Sequence, residues 1–574
     1  MVLFTSDLPD LDIPRNITDW DFLFDSPYSP VTRYAPNKLA GYTNAITGQR
    51  IRYDEARDYS TWLSTALVKN HGLKPGDTVS LFSQNSIWYP IALFGGIRAG
   101  AKISGASPAY NAEEMTYALK TADSKYLMTT AASMEVALQA AKAAGLPKER
   151  IFLLEGRLDG FASVQDLIEL GKSHGEAGQI PAFKLPAGKK NGDVCGFLSF
   201  SSGTTGLPKA VMISHQNMIA QCMQLHQVCA PDYDKILAVI PLFHTWRGTA
   251  RLKRHTVSGL VHFIHFPVLA NSEIYMLPGF KMDTMLGAIE KYKIRDLFLV
   301  PPIVIRLARD PIVDKYDLKH VRRVFSGAAP TPAEILQLIA KRFPGCGFRQ
   351  GYGMTESCSC ITCHPFGWYD FKYAHKGGKI VANTQVKVIK DDGSEAGIGE
   401  PGEILARGPQ IVMGYLNNEK ATAETFDADS FLHTGDSGFF DADGMVQIVD
   451  RIKEMIKVKG IGVAPAELED LLQGHASVAD CAVMGIPDDY AGELPKAFVV
   501  VAPGVCANED TAREIMAFVR GRKVRYKHIR EIEFVDEIPK SASGKILRRV
   551  LRERKRGGER GVCVRDVVDE KARL

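Results

Sequence analysis

Hydroxyls, glycines and one lysine crowd into Ser199–Lys209, SFSSGTTGLPK, directly after the apolar stretch DVCGFL. Glycines let backbone N–H groups converge on an anion, hydroxyls donate to its oxygens and a lysine adds charge, so this loop suits phosphate. Pro208 stands where a Walker A loop needs a glycine before its lysine, which excludes that loop; a plain polar turn is the other reading. A second cluster, GYGMTES at 351–357, starts like a dinucleotide fingerprint but has Glu356 in place of the third glycine. It offers instead the flat face of Tyr352 to a base, the Thr355 hydroxyl, and Glu356 as a hard oxygen ligand for Mg2+ beside a triphosphate. In HTGDSGFF at 433–440, Asp436 follows a tight glycine turn, where a carboxylate suits the paired hydroxyls of a ribose. Arg451, 15 residues on, can serve the same sugar or a phosphate. A surface ion pair is the alternative for either alone. In PKSASGKILRR at 539–549, Ser and Gly frame Lys545, far in sequence from the phosphate loop. It reads either as a solvated helix-start lysine or as a charge delivered by a mobile domain.

Two further patterns carry less. Cys360–His364, CITCH, fits haem attachment and, with Cys358, zinc, but it follows the metal-suited Glu356 directly and no export signal precedes it. GKSHG at 171–175 has the spacing of a nucleophile elbow, yet it follows a helical pattern where an elbow needs a strand before it and a helix after it.

Elements that position such groups are legible in the apolar periodicity. VSLF, an Asn85 cap and a helix through IWYPIALFGGIRAG, then KYLMTT, an Ala-rich helix ending at Gly145, and RIFLLE give the βαβ rhythm of a mostly parallel sheet. The rhythm returns at DVCGFLSF and again where DTMLGAIEKY leads into DLFLV and Pro301, which predicts a second sheet. From Gly377 to Gly414 short apolar runs alternate with DDG, GIGEPG and RGP and read as hairpins of a small β unit. After Asp450 a helix at PAELEDLL, strands at CAVMGI and AFVVVA, a helix near REIMAFVRGR and a strand at EIEFV predict an α+β domain. The tail from Arg548 is charge-dense and is expected to be mobile.

Composition narrows the partners. The 574 residues carry 70 Lys and Arg against 66 Asp and Glu, a net charge of +4, which lacks the basic excess of a nucleic-acid binder. The 10 cysteines are thinly spread and the N-terminus has no secretory h-region, so reduced thiols inside a cell are expected; no stretch is apolar enough to span a bilayer.

Together, in this order, the four segments resemble the adenylate-forming superfamily of acyl-CoA synthetases, amino-acid adenylation domains and beetle luciferases. GYLNNEKATAETF, RIKEMIKVKG and APAELE are most similar to 4-coumarate CoA ligase-like and fungal aryl- or acyl-CoA ligases, and the resemblance runs from about Asp54 to Arg549. It implies an α/β fold. A large N-terminal domain (1–450) has two α/β sheets and a small β-barrel (about 377–450), a small α+β domain (451–549) turns on a hinge, and 550–574 is a basic tail. Ser201, Ser202, Gly203, Thr204, Thr205 and Lys209 would hold the ATP phosphates. Gly327, Ala328 and Ala329, with Gln350, Gly351 and Tyr352, would enclose the adenine. Thr355 would touch a phosphate, Glu356 would bind Mg2+, and Asp436 and Arg451 would bind the ribose. His244 would close the acyl pocket, Lys453 would be the hinge, Lys457, Lys459 and Gly460 would face CoA, and Lys545 would serve adenylation. Gly462 departs from the glutamine of plant coumarate ligases.

The implied activity is an ATP-dependent, AMP-forming ligase that joins a carboxylic acid to CoA through an acyl-adenylate, with a place in secondary metabolism. An amino-acid adenylating enzyme is the alternative, against which PLFH lacks an adjacent aspartate for an amino group and only 29 residues follow Lys545. After His244, where the family has an apolar, glycine-rich segment, the chain reads TWRGTARLKRHTVS, with Arg247, Arg251, Lys253, Arg254 and His255. Such charges are costly to bury. Residues 245–258 are therefore either a looped-out insertion or intron sequence retained in the gene model, and an insertion that blocks the pocket would leave a nucleotide-binding protein without turnover. Ala572-Arg573-Leu574 resembles a peroxisomal address, which implies an import receptor as partner and a peroxisomal, otherwise cytoplasmic, location.

Overall fold

The structure is a computed structural model that describes residues 2–201, 208–242, 259–327, 331–459, 461–488, 490–540, 546–548, 550–552 and 561–566. Ser202, Gly203, Thr204, Thr205, His244, the 245–258 segment, Ala328, Ala329, Gly460, Lys545 and the C-terminal tripeptide lie outside the described residues.

Two sheets organise the N-terminal part. In the first, the strands Ile151–Leu153, Ser124–Thr129, Thr78–Phe82, Lys102–Ala106 and Cys195–Ser201 run parallel, and Lys209–Ser214 closes the edge antiparallel. The second has nine strands among the described residues. Its parallel centre runs from Gly347–Met354 through Arg323–Ser326, Asp296–Leu299, Lys235–Ala238 and Glu273–Met276 to Gly41–Asn44, with antiparallel strands at both edges. Mostly apolar strands such as Thr78–Phe82, buried at every position, meet helices on both faces, as parallel sheets require. Helix limits follow local chemistry: Ser214 and Asn217 form a capping box before His215–Val228, and Gly145 ends Met134–Ala144 at φ 75.

Asn85 is not a helix cap. Trp88–Arg98 begins after Ile87 with no side-chain cap. The Asn85 amide donates to the Ile240 carbonyl at 3.1 Å and accepts from the Leu242 N–H at 2.8 Å, tying the first sheet to the chain that leaves the second. A buried amide with partners of both kinds gains more there than at an exposed helix end.

The strands Phe4–Thr5, Gln385–Ile389, Gly402–Arg407, Leu432–Phe440 and Val446–Arg451 form an antiparallel sheet. This is the small β unit read from the hairpin pattern, and the Lys379–Met445 bridge carries its edge toward the nine-stranded sheet. From Ile456 onward a separate core of Ile456, Leu468, Val483, Val499, Ile515 and Ile532 underlies the C-terminal α+β unit. The expectation of a mobile tail fails at 563–565: Cys563–Arg565 pairs antiparallel with Glu531–Phe534, burying Val564, and Leu551 packs on Met484, Phe498 and Ile538. Val564 faces the sheet while Cys563 and Arg565 on either side face solvent, the alternation of an edge strand.

Candidate active site

Ser201, Gly327 and the segment from Gln350 to Glu356 lie at the carboxyl ends of parallel strands, where open α/β sheets bind ligands. Ser201 ends one strand and stands opposite Lys209 across the antiparallel pair, so the two strands of this hairpin bring together the first and last described residues of the phosphate-type segment. The Tyr117 phenol anchors its return arm by donating to the Pro208 carbonyl at 2.8 Å.

Across from this hairpin, Thr355 and Glu356 sit buried in the 3-10 turn Thr355–Ser357 at the end of Gly347–Met354. Gly353 makes the turn possible, because a Cβ there would lie 1.6 Å from the Ser359 carbonyl oxygen. Cys358 and Ser359 both adopt positive φ as the chain reverses. The Glu356 carboxylate accepts from the Tyr415 phenol at 2.8 Å. The Lys209 ammonium lies 4.7 Å above the Tyr415 ring, and the Ser201 hydroxyl is also within reach of the phenol. Burial, with Glu356 alongside, holds the phenol protonated. Tyr415 was not among the predicted residues, although it stands second in the GYLNNEKATAETF segment, directly after Gly414, which sits at φ 119.

Gln350, Gly351 and Tyr352 lie beside Gly327, because Ser326 stands opposite Gln350 in the parallel register. Close approach explains the glycine at 351, whose added Cβ would be 3.2 Å from both the Phe325 ring and the Thr362 carbonyl. The Gln350 side chain is committed to the Ala374 carbonyl, and its backbone N–H donates to His364 Nδ1 at 3.3 Å. Tyr352 donates to Asp436 Oδ2 at 3.0 Å, while Arg451 Nε reaches Oδ1 at 3.2 Å from the facing position of the neighbouring strand. Asp436 is thus held from two sides; burial, then the Asp436 charge, raises the Tyr352 phenol well above its usual pKa.

Lys453 lies in the turn Ile452–Glu454 that leaves this sheet. Lys457 comes 3.9 Å from Asp391, and Lys459, at φ 52, places its ammonium 4.3 Å over the Tyr490 ring. A side chain at Gly462 would meet the end of Met455 at 2.8 Å, so the absent glutamine leaves room that Met455 takes. Arg548, three residues past Lys545, is buried; it binds Glu454, Glu469 at 2.6 Å and the Val483 carbonyl at 2.7 Å. It ties the lysine motif to the turn that carries Lys453, a link the LRR run did not reveal. Burial pushes Glu469 up to about 7 despite this arginine.

The CITCH cysteines are buried strand residues, with Cys363 Sγ accepting from Arg349 at 3.1 Å. Among the described residues, only Glu531, Glu533 and Cys563 bring metal-type ligand atoms together, and the Lys496 ammonium already sits 2.6 Å from both carboxylates.

A profile of the family described as AMP-binding enzyme matches residues 32–416, and one of the AMP-binding enzyme C-terminal domain matches residues 467–545. The chain belongs to the AMP-binding enzymes. Within this adenylate-forming superfamily the chain is 35% identical over 570 residues to 4-coumarate--CoA ligase 2 of Oryza sativa subsp. japonica, covering 96% of this chain and 95% of the relative. It is 34% identical over 567 residues to 4-coumarate--CoA ligase 1 of Petroselinum crispum, covering 97% and 98%. Among solved structures, this AMP-binding enzyme is similar to the anthranilate CoA ligase AuaEII in complex with anthranoyl-AMP, with TM-score 0.80, 25% identity, and 95% and 98% of the two chains covered. ATP-bound MatB from Rhodopseudomonas palustris gives TM-score 0.79 at 26% identity, covering 94% and 98%.

Proposed function

We infer that this enzyme is an ATP-dependent, AMP-forming ligase that couples a carboxylic acid to CoA through an acyl-adenylate. The acid's carboxylate attacks the α-phosphorus of ATP and pyrophosphate leaves; the CoA thiol then attacks the acyl carbon and AMP leaves. The observation that carries this reading is the meeting of Ser201, Lys209 and Glu356 on Tyr415, beside the Asp436–Arg451 pair, in a chain similar over its length to CoA ligases.

Ser201–Thr205 and Lys209 hold the phosphates, where fixed donors and charge favour the transition state over free ATP. Gly327–Ala329 and Gln350–Tyr352 enclose the adenine, and Asp436 and Arg451 take the ribose. Thr355 contributes a hydroxyl beside the phosphates. A hard-oxygen donor set with one buried carboxylate fits Mg2+, which is commonly bound by one or two carboxylates plus substrate phosphates; Glu356 is that carboxylate, and the Lys209 ammonium lies over the Tyr415 ring. When bound, Mg2+ supplies neutralisation of phosphate charge. Lys545 serves adenylation and Lys457, Lys459 and Gly460 the CoA step, with Lys453 as hinge, so each set acts in one orientation of the C-terminal unit. His244 closes the acyl pocket.

The relatives named for 4-coumarate and anthranilate favour an aryl acid, and with it secondary metabolism. ATP/pyrophosphate exchange with aryl acids, fatty acids and amino acids tests the reading: exchange with aryl or fatty acids supports it, whereas exchange with amino acids alone would replace it with an amino-acid adenylating enzyme. Ala572-Arg573-Leu574 addresses the enzyme to the peroxisome through its import receptor. Deleting the three residues moves a tagged protein to the cytosol if this holds; a full-length protein already cytosolic contradicts it.

A further inference from the structure

Tyr415 is fixed by more contacts than a loop residue needs. The Gly414 and Met413 backbone groups pair with Met212 at 2.9 and 3.0 Å, the Leu416 N–H donates to the Ala210 carbonyl at 2.8 Å, and Tyr415 itself bridges Val211. Its own N–H donates to the Thr422 hydroxyl at 3.0 Å. At Gly414, φ 119 and a would-be Cβ 2.6 Å from Thr422 Cγ2 exclude any other residue. On the other side, the Val412 N–H donates to the Glu356 carbonyl at 3.1 Å. The segment 412–416 is therefore a strap that joins the phosphate hairpin to the turn of Thr355 and Glu356, and the buried Tyr415 side chain lies between them.

Opposite charges meet this side chain at different places. The phenol donates to Glu356 Oε1, and the ring face carries the Lys209 ammonium. Lys209 has no ion pair among the described residues. A direct Lys209–Glu356 pair would spend the phosphate-facing charge and the metal-facing carboxylate on each other before ATP arrives.

We propose that Tyr415 is a positioning residue for adenylation: its hydroxyl fixes one oxygen of Glu356 and leaves the other for a divalent cation, while its ring holds Lys209 away from that carboxylate. The proposal rests on the ligase reading above. It assigns the two parts of one side chain to two measurable quantities, cation dependence to the hydroxyl and triphosphate binding to the ring.

The test uses the full chain as wild type, Tyr415→Phe, which keeps the ring, and Tyr415→Leu, which removes it. Mn2+ binding to the enzyme–ATP complex is read by electron paramagnetic resonance, and ATP/pyrophosphate exchange is followed against Mg2+ concentration. Loss of one hydrogen bond to a charged group predicts that Tyr415→Phe weakens Mn2+ binding and raises the half-saturating Mg2+ about tenfold. It should leave the KM for ATP at saturating Mg2+ and CoA transfer from presynthesised acyl-adenylate as in wild type. Tyr415→Leu should in addition raise the KM for ATP. Wild-type cation dependence in Tyr415→Phe, or equal losses in both half-reactions, overturns the proposal. A wild type without exchange on any acid would instead overturn the ligase reading, so the two failures are distinguishable.

Discussion

Deleting Thr245–Ser258 tests how the basic segment relates to the fold around it. The two described flanks already touch: a Cβ on Gly259 would lie 2.5 Å from the Pro241 carbonyl oxygen and 2.8 Å from Leu242 Cα. With only Phe243 and His244 left between them, Leu242 and Gly259 become the first and last residues of a four-residue turn, whose end Cα atoms need only be within about 7 Å. Closing a two-residue connection in place of a sixteen-residue one saves up to about 2 kcal/mol of loop entropy by the logarithmic law, with short turns giving less. Urea unfolding by linear extrapolation should therefore show the deletion variant as stable as the parent or more stable by up to about 2 kcal/mol. ATP/pyrophosphate exchange should persist. A variant that is less stable, or one that binds ATP but no longer forms adenylate, would refute the reasoning and assign Arg247, Arg251, Lys253 and Arg254 to the acid or CoA site.

Other perturbations separate the remaining roles. Asp436→Asn should raise the KM for ATP about 30-fold, worth about 2 kcal/mol for a lost bond to a charged acceptor, while wild type and variant should use 2′,3′-dideoxy-ATP equally poorly; additive losses would remove the ribose from Asp436. Arg548→Met leaves the buried Glu469 without its cation and should cost about 3–5 kcal/mol in urea unfolding of the C-terminal unit. Adding Glu469→Gln should recover part of it, and a single variant with wild-type stability would show that the clamp is dispensable. Burial holds His364 down at about 4 and His262 at about 3, with the Arg349 charge adding to both. Because these folded values lie below the unfolded 6.5, their contribution is complete above pH 6.5 and is lost as pH falls toward 4. Unfolding free energy should drop by about 2 kcal/mol from His364 alone between pH 7 and 4.5, and His364→Asn should flatten that slope; an unchanged slope would contradict it.

What the sequence revealed and concealed divides along physical lines. Parallel strands such as Thr78–Phe82 announce themselves because they are short, mostly apolar runs between helical patterns, and Gly145 marks a helix end because a left-handed cap needs it. Asp436 was legible after its glycine turn and Arg451 as an arginine suited to the same sugar, but the meeting of Tyr352 and Arg451 on Asp436 was not, because an antiparallel register and a neighbouring sheet bring them together. Tyr415 and Arg548 were missed for the same reason: each acts through contacts more than 50 residues away in the chain. Asn85 misled because a cap-type residue before a helix also satisfies a buried inter-sheet role. The Cys563–Arg565 strand hid inside a charged tail, since one buried valine, Val564, suffices for a short edge strand on an existing sheet.

A single-turnover reaction of excess enzyme with α-phosphate-labelled ATP and an aryl acid, first without CoA and then with it, tests the central claim most directly. The account predicts enzyme-bound acyl-adenylate and free pyrophosphate in the first stage, then acyl-CoA and labelled AMP on addition of CoA. Release of ADP and phosphate, or AMP formation that needs no acid, would contradict it.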